Sequence, residues 1–213
     1  MSLTADLSLQ TRASLLSRLR DFEDKESWQT FFDLYWRLLY NVARRAGLDD
    51  ADTQDVVQDA VMAITREIPQ FHYDPQRGTF KQWLFRILRR RIADHYRKLY
   101  RQPARAEMSP ETLERSGDAA ILPRGGEDLD AAWDQEWERS VLDAAIAQVR
   151  AQANPKHFQV FDYCVLKEWP VARVATTLGM NAALVYLARH RVSQAVKRAA
   201  RRINEERMKG RIV

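Results

Sequence analysis

The chain has 213 residues, 46% of them apolar, and a formal net charge of +5. Its seven glycines and seven prolines are few, and Arg, Leu, Ala and Glu are abundant, which predicts an all-helical protein with one large or two small domains. The lone Cys164 excludes an internal disulfide, and the four histidines lack metal-ligand spacing, so we expect no metal site. No stretch approaches the roughly 20 apolar residues of a membrane span, so we expect a cytoplasmic protein without a membrane contact.

Three helices are predicted in the N-terminal half from apolar residues that recur at helical spacing. They run from about Trp28 to Ala46, from about Ala51 to Ile68 and from about Phe80 to Leu99. Asp52, Asp55 and Asp59 lie on one side of the second helix. Taken alone, this acidic flank is typical of a solvated helix start, where the helix dipole favours acids.

The third helix is strongly basic. Residues 77–105 contain ten basic residues and only one acid, and four arginines share one face of the helix, namely Arg86, Arg89, Arg90 and Arg97. A stripe of this kind is suited to follow a phosphate backbone, and the aromatic loop from Phe71 to Thr79 is suited to stack on unpaired bases. Phe80 and Trp83 are alternatively part of the hydrophobic core, and for Trp83 we favour the core.

Residues 100–135 show no sustained periodicity and contain prolines and a Gly-Gly pair, which predicts a linker. The predicted organisation is therefore an N-terminal domain over residues 1–99, a linker over 100–135 and a C-terminal domain over 136–213. Helical patterning resumes near Trp133 and continues through the C-terminal domain.

A helix-turn-helix is predicted near the C-terminus. Ala175, Gly179 and Val185 supply the small residue, the positive-φ turn residue and the branched apolar residue that such a motif requires. Asn181 is suited to cap the second helix. The outer face of this helix carries Tyr186, His190, Gln194, Lys197 and Arg201. The alternative is an ordinary amphipathic helix with a solvated basic face, but the turn and the terminal arginines favour DNA binding.

Extracytoplasmic-function sigma factors have a conserved region two that resembles two segments of this chain. The segments are Asp52-Thr53-Gln54-Asp55-Val56-Val57-Gln58-Asp59 and Phe71-x-x-Asp74-Pro75-x-Arg77-Gly78-x-Phe80-x-x-Trp83-Leu84-x-x-Ile87. Shorter similarities to a subgroup of this family lie at residues 14–21 and 185–192. The resemblance covers roughly residues 10–100 and 136–205, which places both predicted domains in the order found in the family.

The resemblance implies a non-enzymatic, cofactor-free subunit that binds RNA polymerase core and promoter DNA. Its core-binding residues would be Asp52, Gln54, Asp55 and Gln58, which would dock on the clamp helices of the largest subunit. Its residues for the minus-ten element would be Arg77, Thr79, Phe80, Lys81, Arg86, Arg89, Arg90 and Arg97. Its residues for the minus-thirty-five element would be Asn181, Tyr186, His190, Gln194, Lys197 and Arg201, in a domain that would also contact the polymerase flap.

The sequence departs from the family pattern in three places. Gln54 stands where the family usually has an acid, and phosphorylation of the adjacent Thr53 would restore that charge. Arg90 stands where asparagine is frequent in the family, and the second helix of the helix-turn-helix begins with apolar residues.

An anti-sigma factor or a Ser/Thr kinase is a further expected partner.

Two other functions remain open from the sequence. A helix-turn-helix regulator that acts without polymerase core accounts for the C-terminal domain but leaves the acidic and basic helices of the N-terminal half without a purpose. A DNA-processing enzyme such as a recombinase lacks a convincing nucleophile or metal cluster among the basic residues, and the chain has no phosphate-binding glycine loop.

Overall fold

The structure is a computed structural model that describes residues 15–72, 74, 76, 78–101 and 125–210. Over these residues it contains eight α-helices and no strand, which confirms the predicted all-α fold class. The helices are α1 (Leu15–Arg18), α2 (Lys25–Arg45), α3 (Asp50–Glu67), α4 (Phe80–Arg101), α5 (Gly125–Gln152), α6 (Pro155–Phe161), α7 (Val171–Leu178) and α8 (Ala182–Met208). None of them is by itself long and apolar enough to cross a membrane, and the pair α7 and α8, which reaches that length and composition together, is bent by 103°.

The chain divides into two compact units. The first unit contains the described residues up to 138 and from 206 onward, and the second contains residues 139–205. Residues 125–135, which the sequence placed in a linker, are helical and begin α5. The helix was missed because it starts at a Gly-Gly pair, which normally signals a turn, although four buried residues follow at helical spacing: Leu129, Ala132, Trp133 and Trp137. The predicted limits of the two functional domains stay predictions.

The first unit is built around α2, α3 and α4. Each of the first two helices has an aspartate cap, because Asp24 accepts a hydrogen bond from the backbone N–H of Ser27 and Asp49 from that of Asp52. Their core side chains are almost completely buried, among them Phe31, Tyr35, Leu39, Val57, Ile64, Leu84 and Leu88. The Tyr96 hydroxyl on α4 donates to the carbonyl of Ala46, 2.9 Å away, and so ties α4 to the end of α2.

The second unit has two neighbouring apolar clusters. One joins α5, α6 and the middle of α8 through Ala145, Val149, Phe158, Phe161, Val192 and Val196. The other joins α6, α7 and the start of α8 through Val160, Val174, Val185 and Ala188. Cys164 is half-buried against this second cluster, and burial raises the pKa of its thiol. Because both clusters include α8, the first turns of that helix are held firmly against α7.

Candidate nucleic-acid and protein interface

Helix α3 presents an exposed polar face opposite its buried side. Thr53, Val56, Val57, Ala60 and Ile64 are buried, whereas Gln54, Asp55, Gln58 and Asp59 are exposed. Asp55 and Asp59 have no hydrogen-bond or ion-pair partner among the described residues. Two of the four residues expected to bind polymerase core have local partners, since Gln54 donates to Asp50 at 3.0 Å and Asp52 lies 3.4 Å from Nε2 of His95.

A cleft of about 680 Å³ separates this acidic face from α4. Its α3 wall carries aspartates and its α4 wall carries Arg91, Arg97 and Lys98. The two arginines are paired with Asp94 on their own helix, at 3.2 and 2.9 Å. Asp52 faces His95 of α4 at 3.4 Å, whereas Asp55 and Asp59 have no partner among the described residues, so the charge of these two acids is available to an external cationic partner.

Thr53 is fully buried, in contrast to its neighbours. Its hydroxyl donates to the backbone carbonyl of Asp49 in the first turn of α3. A kinase would have to unwind this turn to reach the hydroxyl, and a phosphate would bring charge into the core. The structure therefore argues against phosphorylation of Thr53 as the replacement for the missing acid at Gln54.

The loop before α4 ends in a capping box. The Thr79 N–H donates to the Gln82 side chain at 2.9 Å, and the Gln82 N–H donates back to the Thr79 hydroxyl at 3.3 Å. Gly78, at φ +113°, closes the loop by donating from its N–H to the Asp74 carbonyl at 3.1 Å. Thr79, which the sequence assigned to the minus-ten element, thus has a structural role, and Arg77 lies outside the described residues.

Phe80 belongs to the core and not to an exposed surface. Its side chain is 0% exposed and packs against Phe71, Trp83 and Tyr35, with ring centroids 5.4 to 5.7 Å apart. This position corrects the expectation that Phe80 contacts DNA, because a buried ring has no free face for a base. Phe71 and Trp83, which surround Phe80, are half-buried, so parts of their aromatic side chains remain exposed at the surface of the first unit.

The basic stripe of α4 is only partly open to solvent. Arg86 and Arg90 are exposed and have no ion-pair partner among the described residues. Lys81 lies 2.6 Å from Asp134, Arg89 lies 3.4 Å from Asp130, and both acids belong to α5. Arg97 is half-buried and pairs with Asp94.

The α5 residues that face this stripe and α2 were missed by the sequence interpretation. Trp133 stacks on Phe85 of α4 with ring centroids 5.0 Å apart, and Trp137 stacks on Tyr35 of α2 at 6.1 Å. Glu136, 4% exposed, pairs with Arg45 at 2.8 Å. The spacing of Trp133 and Trp137, one helical turn apart, was the available signal, but it does not specify the surface against which they pack.

Helices α7 and α8 meet at a tight turn. Gly179 ends α7 at φ +60°, which confirms the positive φ expected there, and the Asn181 side chain accepts from the Ala183 N–H at 2.8 Å and caps α8. The two helices are bent by 103° relative to each other, which lies in the range of helix-turn-helix motifs. Val174 and Val185 are completely buried between them.

The outer face of α8 bears most of the residues expected to contact DNA. Tyr186, His190, Lys197 and Arg201 are exposed, whereas Gln194 is half-buried. The guanidinium of Arg189 lies over the Tyr186 ring, 5.1 Å from its centroid. The sequence interpretation did not assign a role to two exposed apolar side chains in the same turns, Leu184 and Leu187.

Comparison with known families gives one match. Residues 31–102, about a third of the chain, match the family model of Sigma-70 region 2. The matched range includes most of α2 and all of α3 and α4, so the acidic face and the basic stripe both lie inside it. No curated protein matches the chain.

Proposed function

We propose that this protein is an alternative sigma factor of the extracytoplasmic-function type. The match to sigma-70 region 2 indicates a sigma factor of the sigma-70 family. The family match supports binding to RNA polymerase core and recognition of promoters, and sigma factors are in general regulatory and not enzymatic. The observation that carries the proposal is the match over residues 31–102, because that range contains both charged surfaces of the first unit.

Core binding is assigned to the exposed face of α3. Asp55 and Gln58 are exposed there, and Asp52 and Gln54 extend the same surface toward the start of the helix. Asp55 has no partner among the described residues, and such an exposed acid attracts a basic surface and orients it during encounter. The clamp helices of the polymerase would supply that surface.

Minus-ten binding is assigned to the basic stripe of α4 and the loop that precedes it. Arg86 and Arg90 are open to solvent, and Lys81 and Arg89 would have to exchange their α5 partners for phosphates. Melting would further require that bases stack beside the half-buried Phe71 or Trp83, because Phe80 is not accessible.

Minus-thirty-five binding is assigned to the second unit. Between Ala182 and Ile203, α8 contains six Lys and Arg residues and no acid, and its capped N-terminus follows a tight turn. In a helix-turn-helix this end enters the major groove, and the later basic residues meet the backbone. An anti-sigma factor is a further proposed partner.

The test is run-off transcription on genomic fragments with purified core polymerase, with and without this protein. Discrete transcripts that appear only when both are present are expected. The helix-turn-helix geometry of α7 and α8 also fits a regulator that acts alone, and a gel-shift assay without core separates the two functions. Specific binding to DNA without core, together with no new transcript in its presence, would overturn the sigma assignment.

A further inference from the structure

The first turns of α8 present apolar side chains to solvent. Leu184 is 53% exposed and Leu187 is 43% exposed, although Val185 and Ala188 between and beside them are buried. Ala183 is exposed and lies four residues before Leu187, so the two side chains are neighbours on one line of the helix. Helical periodicity places this line opposite the buried valines, where the helix is furthest from its own domain.

This line continues into polar residues farther along the helix. It reaches Gln194 and Arg201, and His190 lies beside it, so the apolar part is confined to the end next to Asn181. That end is where a helix-turn-helix places the side chains that contact base edges. An apolar side chain there makes no hydrogen bond to a base, and the exposed part of a leucine side chain is not stabilised by burial in the free protein.

The major groove offers one apolar group, the 5-methyl group of thymine. We propose that Ala183 and Leu187 read thymine methyl groups in the minus-thirty-five element, and that Leu184 flanks this contact; the proposal rests on the sigma-factor function proposed above. The specificity of this promoter contact is then carried in large part by apolar contacts instead of bidentate hydrogen bonds.

The remaining residues of the helix support this arrangement. Lys197 and Arg201 lie two or more turns beyond Leu187, where they meet phosphates and fix the position of the helix without reading sequence. Tyr186 has one ring face under the Arg189 guanidinium, which leaves less of it for a base. Leu187 is therefore the large apolar side chain of these turns that lies on the outward line of the helix.

The experiment removes single methyl groups from the DNA. A promoter selected from a randomised minus-thirty-five library is prepared with each thymine of that element replaced by deoxyuridine, which pairs identically and lacks only the methyl group. Holoenzyme affinity is measured for the wild type, for Leu187→Ala and for Leu142→Ala. Leu142 is 46% exposed on α5 in the same unit and serves as the matched control.

For the wild type and for Leu142→Ala, uracil at one or two positions should weaken binding about three- to tenfold, as expected for the loss of one methyl contact. Leu187→Ala should bind the thymine promoter more weakly by a similar factor and should no longer distinguish uracil from thymine at the position that Leu187 contacts. The proposal is overturned if uracil has no effect on the wild type, or if Leu187→Ala keeps the wild-type penalty.

Two outcomes separate this proposal from its premise. If Leu187→Ala impairs assembly with core and uracil has no effect, Leu187 contacts the polymerase and the methyl readout is wrong, although the sigma function stands. If no promoter supports transcription with this protein and core, the sigma function itself fails before any uracil template is tested.

Discussion

At the scale of single residues, Gly78 and Gly179 adopt positive φ angles in different surroundings. A Cβ added at Gly179, φ +60°, would meet no atom within 4 Å, so only the backbone conformation demands glycine there. A Cβ added at Gly78, φ +113°, would lie 2.7 Å from the Gln82 side-chain oxygen, which is part of the capping box of α4. Substitution at Gly78 therefore affects both the loop and the helix cap.

Gly179→Ala should lower the free energy of unfolding by about 1–2 kcal/mol, the usual cost of a left-handed alanine. Gly78→Ala should cost about 1 kcal/mol more, because Gln82 must leave its capping position. Urea unfolding followed by circular dichroism measures both. In a Gln82→Ala background the extra cost of Gly78→Ala should shrink to the part that φ +113° itself imposes, and an unchanged extra cost would show that the cap is not involved.

Asp24 makes a pH-dependent contribution at the start of α2. Its hydrogen bond from Arg18, at 3.0 Å, and those from Ser27 lower the pKa of the carboxyl to about 2. Because the folded-state pKa is below the ordinary value of 3.8, the ionised group stabilises the fold above that value, and this contribution is lost as the pH falls through about 2.

Asp24→Asn keeps a side chain that caps the helix but removes the charge that Arg18 pairs with. The stability difference between the wild type and Asp24→Asn should be constant from pH 7 to about 4 and should shrink between about 4 and 2. Thermal unfolding across this range measures it, with Asp33→Asn on the same helix as a control for the loss of one carboxylate. A difference that persists unchanged to pH 2 contradicts the assignment.

At the scale of elements, the basic face of α4 is shared between α5 and the proposed DNA. Asp130 and Asp134 pair with Arg89 and Lys81, the same cations that the minus-ten proposal needs. Ion pairs on a protein surface are worth about 0–1 kcal/mol, so DNA is able to displace these acids, but at a cost to affinity.

The double variant Asp130→Asn, Asp134→Asn should therefore bind single-stranded minus-ten DNA a few-fold more tightly than the wild type, with the gain fading at high salt. Fluorescence anisotropy with a labelled oligonucleotide measures it. Asp143 is an exposed acid farther along α5. Asp143→Asn removes one negative charge, as each substitution of the double variant does, and is the matched control. Equal affinities of all three proteins would mean that these acids do not compete with DNA.

The exposed face of α3 makes a separate prediction. Asp55→Arg should weaken binding to polymerase core roughly tenfold, because reversal of an interface charge replaces an attraction with a repulsion. The helical circular-dichroism signal should be unchanged, since Asp55 is exposed and has no partner among the described residues. Asp143→Arg tests whether a charge reversal elsewhere has the same effect. Wild-type affinity of Asp55→Arg for core would remove α3 from the interface.

At the scale of the whole molecule, the proposed function assigns a DNA surface to each unit. Two DNA contacts on one chain act together, so that each raises the effective concentration of the other. A surface that meets only phosphates then contributes affinity on every promoter, and a surface that meets bases decides which promoters are chosen.

Lys197→Ala should weaken holoenzyme binding to all promoters alike and reduce the slope of affinity against salt by about 0.9. His190→Ala should change the ranking of minus-thirty-five sequences, with a cost of about 1–3 kcal/mol on the best site. A randomised minus-thirty-five library transcribed by each variant holoenzyme distinguishes the two effects. If His190→Ala keeps the wild-type ranking, His190 does not read bases.

The sequence by itself determined the properties that depend on neighbours along the chain. Helical periodicity predicted α2, α3, α4 and the buried faces on which Val57 and Val185 lie, and local stereochemistry predicted the positive φ of Gly179. The acidic face of α3 was likewise visible, because residues three and four apart share one side of a helix.

Only the tertiary structure decided which side chains of those faces are available. Arg86 and Arg89 read alike in the sequence, but Arg89 pairs with Asp130, 41 positions away, and Arg86 is exposed. Phe80 and Thr53 are both fully buried, and Phe80 packs against Tyr35 of the distant helix α2. Such pairings depend on how separate helices meet, and a helical pattern specifies which face is buried without specifying what will cover it.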